Sequence, residues 1–238
     1  MIFYYVRHGD PIYDPDSLTP LGHAQADALS KRMQRRGLDE IYASSSIRAQ
    51  MTAEPTCKIL GKEKTVLDWA HEAKVWEDYC ADNGKGSKSW CFHIEDYRRK
   101  FNSKEVTALG YKWYEHPYFK NDNFKRGVER IDRETDAFML SLGFAHDREN
   151  GCYKVVSKNS KRIGFFAHEG FGKAFLSSLL DIPYTTVATK MELGHSSVTV
   201  IYFDENAEVV FPRVMQWSND SHLYKENVLT PYQGWIDL

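Results

Sequence analysis

The sequence predicts an α/β fold, a three-layer α/β/α sandwich around a mostly parallel sheet with an antiparallel edge strand. Three observations predict it. Short strand-like runs alternate with stretches of helical length and pattern along the chain. Two of those runs, Ile2-Phe3-Tyr4-Tyr5-Val6 and Ile163-Gly164-Phe165-Phe166-Ala167, have the aromatic and β-branched content of buried strands. Near the end, Ser197 to Phe203 and Glu208 to Phe211 read as a closing strand pair joined at Asp204-Glu205-Asn206-Ala207.

The elements follow in order. After the first strand comes a loop with Pro11 and Pro15, then a helix with Thr19 as N-cap, Pro20 at its first position and Gly37 as its stop. Leu21, Ala24, Ala28 and Met33 give that helix its apolar stripe, while Lys31, Arg32, Arg35 and Arg36 suit the negative end of its dipole. Glu40 to Ala43 reads as a second strand. Ser44-Ser45-Ser46 then supplies caps for a helix to about Leu60, with Gly61 as stop and Pro55 as a kink or a restart. Thr65 to Leu67 is a third strand. Residues 82 to 90 read as a Gly, Ser and Lys loop, and roughly Glu95 to Leu142 as helical. Asn150-Gly151 marks a turn, Lys161 to Ala167 the fourth strand, and Gly170 to Leu180 a helix. Residues 1–238 are expected to form one domain, with 78–150 as a helical lid or insertion within it.

Composition narrows the function classes. A chain of 238 residues with 42% hydrophobic content can bury a full core, which excludes disordered and fibrous classes. The net charge of −2 exerts no general pull on nucleic acid or an anionic membrane, so recognition of an anion must come from local arginines. No apolar run approaches the roughly 20 residues a membrane span requires. The start of the chain lacks the pattern of a signal peptide, which makes the cytoplasm the expected location and Asn219-Asp220-Ser221 a chance glycosylation triplet. Cys57, Cys80, Cys91 and Cys152 are widely spaced and read as reduced thiols. The histidines show no zinc-binding spacing, so neither metal nor cofactor is expected.

Two short strings carry the chemistry. Arg7-His8-Gly9-Asp10 and His168-Glu169-Gly170 each begin where a buried strand ends, and open α/β sheets bind ligands beyond those carboxyl ends. Phosphoryl transfer needs charge on the equatorial oxygens neutralised and a nucleophile held in line. Arginine matches phosphate oxygens bidentately, and Arg48 lies near a helix start that itself favours an anion. A neutral imidazole can attack phosphorus when its other nitrogen fixes the tautomer. His8 is the candidate nucleophile, and His168, as a cation, the candidate stabiliser of the transferring charge. The leaving alkoxide needs an acid with a raised pKa nearby.

Val6-Arg7-His8-Gly9, Leu18-Thr19-Pro20-Leu21-Gly22-His23-Ala24-Gln25-Ala26, Ile41 to Ala53 and His168 together resemble the histidine phosphatase superfamily, in its phosphoglycerate-mutase-like branch (branch 1). The resemblance covers roughly residues 1 to 77 and 160 to 222. It implies a phosphohistidine intermediate on His8, a phosphate pocket of Arg7, Gly9, Arg48 and His168, and no metal. It also places the family's proton donor in the segment Leu67 to Glu77, which makes Glu72 the candidate, with Glu77, Glu169 and Asp10 as rivals. This chain has Asp10 and Asp14 where many members carry glutamate and asparagine, Ser45 for a usual proline, and Glu169 for a frequent glycine.

The resulting expectation is a metal-independent phosphomonoester hydrolase acting on a small phosphorylated metabolite, without nucleic-acid or membrane partners. Its oligomeric state stays open, a homodimer being one candidate. The alternatives are a phosphoglycerate-mutase-type phosphotransferase, whose Glu-Arg-x-Tyr-Gly and Arg-Arg-Ser-Tyr-like strings are missing here, and a weakly active phosphate-sensing module.

Overall fold

The structure, a computed structural model, describes residues 1–228, so the last ten residues of the expected 1–238 domain lie outside it. The chain opens with β1 (Ile2–Arg7), the hairpin β2 (Pro11–Tyr13) and β3 (Asp16–Leu18), α1 (Pro20–Gln34), β4 (Glu40–Ser44), α2 (Ile47–Leu60), β5 (Lys64–Leu67) and α3 (Glu72–Tyr79). The middle holds the hairpin β6 (Cys80–Asp82) and β7 (Lys88–Trp90), then α4 (Glu95–Phe101), α5 (Lys104–Thr107) and α6 (Phe124–Ser141). The last third contains β8 (Phe144–Asp147), β9 (Cys152–Val155), β10 (Arg162–Ala167), α7 (Glu169–Leu180), α8 (Tyr184–Lys190), β11 (Val198–Tyr202), β12 (Val209–Val210), β13 (Arg213–Asn219) and α9 (Ser221–Lys225).

Six strands form the central sheet in the order β13-β11-β1-β10-β4-β5. The pairs β1–β10, β10–β4 and β4–β5 are parallel, while β11 and β13 add an antiparallel edge. The three-layer α/β arrangement expected from the sequence is therefore present. Strand alternation sorts the side chains into two layers. Phe3, Tyr5, Ile163 and Phe165 point to a core shared with Phe138 of α6 and Phe171 and Phe175 of α7. Val6 and Phe166 point the other way, to Leu29 and Met33 of α1 and Ala53 and Cys57 of α2. Phe3, Phe165 and Phe175 meet within 5.2–6.0 Å between ring centroids, and truncating any of them would cost about 3–5 kcal/mol.

Caps fix where the helices begin. Thr19 Oγ1 accepts from Gly22 N at 3.0 Å, a bond of about 1 kcal/mol, and Thr19 N donates to Asp10 O, which ties α1 to the loop after β1. Gly61 ends α2 in the left-handed conformation (φ +62°).

Several elements differ from expectation. The closing pair is β11 with β13, whereas Val209–Val210 pairs with β9. β13 lies at an edge with Val214 and Met215 exposed and with register shifts against β11, so no apolar alternation marks it in the sequence. Helix α2 runs through Pro55, held on either side by buried Ala53, Thr56 and Cys57. The stretch 95–142 is broken into short helices: Ser103 caps a new turn by accepting from Val106 N, Gly110 adopts φ +55°, and Pro117 opens a 3-10 turn. The segment 82–90 is a hairpin, its turn closed by the Asn83 carbonyl side chain accepting from Lys85 N and by positive φ at Gly84 and Gly86. The loop at Pro11 and Pro15 is likewise a hairpin. All four cysteines are buried and free. Among the described residues, no helix is long and apolar enough to cross a membrane.

Candidate active site

Register brings the two histidines together. Arg7 of β1 pairs with Ala167 of β10, so the next residues, His8 and His168, leave adjacent strand ends side by side with ring centroids 5.2 Å apart. His8 Nδ1 lies 2.7 Å from the Gly9 carbonyl, which can only accept, so the proton sits on Nδ1. Arg48 Nε donates to His8 Nε2 at 3.3 Å, which requires a lone pair there. The two bonds select the tautomer in which Nε2 is unprotonated. Burial, followed by the nearby His168, Arg7 and Arg48, holds the His8 pKa well below the usual imidazole range.

Gly9 holds this geometry from the backbone. Its N–H donates to Thr52 Oγ1 at 3.0 Å, and a Cβ on it would stand 2.7 Å from Gly22 O.

Arg48 joins the parts. Its Nη2 donates to His168 Nδ1 at 3.2 Å, and Nη1 pairs with Asp16 Oδ1 at 2.8 Å. His168 Nε2–H in turn donates to Ser44 Oγ at 2.8 Å. His168 is fully buried, and burial together with Arg48, His71 and Arg7 keeps its pKa well below the usual range. Burial first, and then the neighbouring Arg48, His71 and Arg7, therefore disfavour the cation that the sequence suggests, and the Arg48 N–H donated to Nδ1 requires a lone pair there. Arg7 Nη1 contacts Leu193 O at 2.5 Å and Glu169 Oε2 at 3.0 Å, and its Nη2 donates to His195 Nε2 at 2.8 Å.

The carboxylate candidates separate clearly. Glu72 opens α3 and accepts from Gly170 N (3.0 Å) and Phe171 N (2.9 Å), so it caps the first turn of α7. Desolvation of its carboxyl outweighs those bonds and raises its pKa to about 7. Glu169 pairs with Arg7 and, at 3.0 Å, with Lys173. Against the effect of burial, these cations hold its pKa down at about 2, while the adjoining Glu192 is pushed up. Asp10 turns to α1, accepting from Thr19 Oγ1 at 2.6 Å. Glu77 is exposed on the far side of α3, where its carbonyl accepts from Asn123. A cleft of about 450 Å³ is lined by Arg7, His8, Arg48, Glu72 and Glu169, and also by Tyr13, His71, Ala73, Trp76, Trp90 and His93. Neither Asp10 nor Glu77 lines it. Among the described residues, no three His, Cys, Asp or Glu side chains converge as metal ligands do.

Residues 3–83 match the family model of the histidine phosphatase superfamily (branch 1). No curated protein matches the chain in sequence. Among solved structures, it is similar to a mutant phosphoserine phosphatase from Entamoeba histolytica in complex with phosphoserine, at 18% identity and TM-score 0.61, over 93% of this chain and 98% of that one. It is also similar to the alpha-ribazole phosphatase from Shigella flexneri (14% identity, TM-score 0.56, 92% and 97% covered). A third likeness is to a mycobacterial glucosyl-3-phosphoglycerate phosphatase in complex with VO3 (17%, 0.52, 91% and 98%). At these identities the likeness establishes the fold, which is phosphoglycerate-mutase-like as the histidine phosphatase motifs imply.

Three residues outside the lining brace the side chains of the cleft. Asp16 holds Arg48 and also caps α2, accepting from Ile47 N (2.7 Å) and Ser46 Oγ (2.8 Å). Ser46 stands at the N-cap position without making the cap bond itself. Ser44 fixes His168, and His195, whose Nε2 accepts from Arg7 Nη2, has its ring 5.7 Å from that of His8. Each acts across the fold from a distant stretch of sequence, and none carries a local signal.

Proposed function

We propose that the protein hydrolyses a small phosphomonoester through a phosphohistidine on His8, without a metal ion. The observation that carries this reading is the pairing in one cleft of an Nδ1-protonated His8 with Nε2 unprotonated and a carboxyl whose pKa lies at about 7. Arg7 and Arg48, which line the cleft, bind the phosphoryl oxygens together with His168, which is buried against Arg48 just outside that lining, and Gly9 holds the nucleophile's tautomer. The Nε of Arg7 is buried with no hydrogen-bond partner among the described residues, a donor that a phosphoryl oxygen would satisfy.

His8 Nε2 attacks phosphorus, the N–P bond forms, and the P–O bond to the alcohol breaks. Glu72 gives its proton to the departing alkoxide. Water then attacks the phosphohistidine, Glu72 takes up its proton, and the N–P electrons return to Nε2. Phosphate leaves and both residues are restored. His168 starts neutral, and an incoming phosphoryl dianion favours its protonation. Arg7 and Arg48 supply the positive charge, so dialysis against EDTA leaves activity unchanged.

The cleft has the size of a small-metabolite site, which supports a phosphorylated metabolite as substrate. Within residues 78–150 the lid is the part around Trp90 and His93, which line the cleft, whereas α6 at the end of that segment packs on the central sheet through Phe138. The deciding experiment is incubation with p-nitrophenyl phosphate, an alkaline quench and intact-mass measurement. Wild type should gain one phosphoryl group that is lost in acid, and His8→Ala should gain none and turn over no substrate while keeping its circular dichroism. Turnover by His8→Ala at the wild-type rate overturns the mechanism.

A further inference from the structure

The cleft changes character from base to mouth. Arg7, His8 and Arg48 lie at its base, each less than a tenth exposed, whereas Tyr13 and Trp76 at the mouth are 69% and 36% exposed. Trp76 meets Trp90 edge to face at 4.9 Å between ring centroids. Trp90 is set firmly. It stacks on Phe92 at 5.4 Å and lies flat on the start of α7, where a Cβ on Gly170 would come within 2.5 Å of the indole.

Among the described residues, Arg7 and Arg48 are the only basic side chains other than histidine lining the cleft. Arg48 pairs with Asp16, and Glu169 is shared between Arg7 and the fully buried Lys173. A substrate bearing a carboxylate or a second phosphate beyond its reacting phosphoryl group would bring that charge to an aromatic wall, beside the carboxylate of Glu169. No side chain there repays its desolvation.

We propose that the mouth selects phosphomonoesters of uncharged, flat aromatic alcohols over those whose alcohol carries a further anionic group. Trp76 and Trp90 contact the aromatic body, while Arg7 and Arg48, engaged with the reacting phosphoryl group, leave no guanidinium in the lining for a second anionic group. This rests on the phosphatase reading above. It adds the class of leaving group to it.

The test compares benzyl phosphate with 3-phosphoglycerate. Both release an aliphatic alcohol, so intrinsic reactivity does not decide between them. Wild type is expected to favour benzyl phosphate in kcat/KM by about tenfold or more. Trp76→Lys, a change at the exposed mouth, should narrow or invert that ratio, while Trp76→Phe should keep it. Calorimetric titration of both compounds into His8→Ala should give the same order in Kd. Equal or better use of 3-phosphoglycerate by wild type, or a ratio unmoved by Trp76→Lys, overturns the proposal. If wild type hydrolyses neither compound, the phosphatase reading falls, and the Kd order still decides the selectivity.

Discussion

Glu72 accepts a hydrogen bond from the backbone N–H of Gly170 at 3.0 Å, so the candidate acid is also a cap on the helix that follows His168. This fixes the carboxyl beside the site, while burial keeps its pKa at about 7 in spite of the N–H donors. A proton donor must be protonated at the start of the reaction. The kcat/KM profile is therefore expected to fall on the basic side with an apparent pKa near 7. His8, held well below the ordinary imidazole range, should contribute no acid limb near neutrality. Glu72→Gln should remove the basic limb and lower kcat by roughly 10²–10⁴ for alkyl phosphates, and much less for p-nitrophenyl phosphate, whose leaving group needs no proton. An equal loss for both substrates would remove Glu72 from the acid role.

Asp16 links a helix cap to the phosphate pocket. Its carboxylate accepts from Ile47 N and pairs with Arg48, each within 2.8 Å. Asp16→Ala is expected to cost about 1 kcal/mol in urea unfolding, the ordinary loss of a cap. Arg48 also loses its anchor, so the Kd for inorganic phosphate should rise. Asp16→Asn keeps an acceptor for Ile47 N, and it should recover most of the stability but little of the phosphate affinity. Identical phosphate titrations for all three proteins would show that Arg48 positions itself without Asp16.

What could be read in the sequence follows from locality. The runs before His8 and His168 are continuous and buried on both faces, so their composition alone announces central strands, and strand ends locate the site. Thr19 and Gly61 act on their own helices and are legible for the same reason. Asp16 caps a helix 31 positions away and Ser44 serves a histidine 124 positions away. Only folding creates those partnerships. The exposed edge β13 escaped notice because it has no buried face to impose a period of two. The charge of His168 could not be read either, since it depends first on how deeply the fold buries the ring and then on how closely Arg48, His71 and Arg7 come to lie.

Away from the cleft, His146 provides a pH-dependent tie. Its side chain is fully buried and stacked on Tyr153 at 4.1 Å. Nδ1 faces Asp136 Oδ1 and Nε2 faces Asp181 Oδ2, both at 2.8 Å. Two ionised carboxylates can only accept, so both ring nitrogens carry protons. Burial opposes that charge, but the bonds to Asp136 and Asp181 overcome it and raise the pKa. A raised pKa in the folded state means that the stabilisation is complete below the unfolded value, about 6.5, and is lost as pH rises through the folded value. His146→Gln should therefore lower Tm most below pH 6.5, by the equivalent of about 1–3 kcal/mol, and progressively less in alkaline buffer. Activity should be retained. A Tm difference that does not vary with pH would mean that the ring works only by packing.

Gly9 offers the sharpest test of backbone fit at the site. A Cβ there would stand 2.7 Å from Gly22 O, and one on Gly22 would stand 2.2 Å from Asp10 O, so the two backbones already touch. Backbone atoms cannot rotate aside as a side-chain tip can. Gly9→Ala should cost about 1–3 kcal/mol or more from the clash. The same strain displaces the Gly9 carbonyl that fixes the His8 tautomer, so phosphoenzyme yield should fall further than the folded fraction does. Gly37→Ala is the control. Gly37 is left-handed at φ +75° with nothing within 4 Å of a new Cβ, so it should lose only the roughly 1–2 kcal/mol of αL strain, with phosphoenzyme yield unchanged. Urea unfolding and intact-mass yields on the two variants separate these outcomes. If both lose stability equally and both keep full phosphoenzyme yield, the contact between Gly9 and Gly22 does not govern the nucleophile.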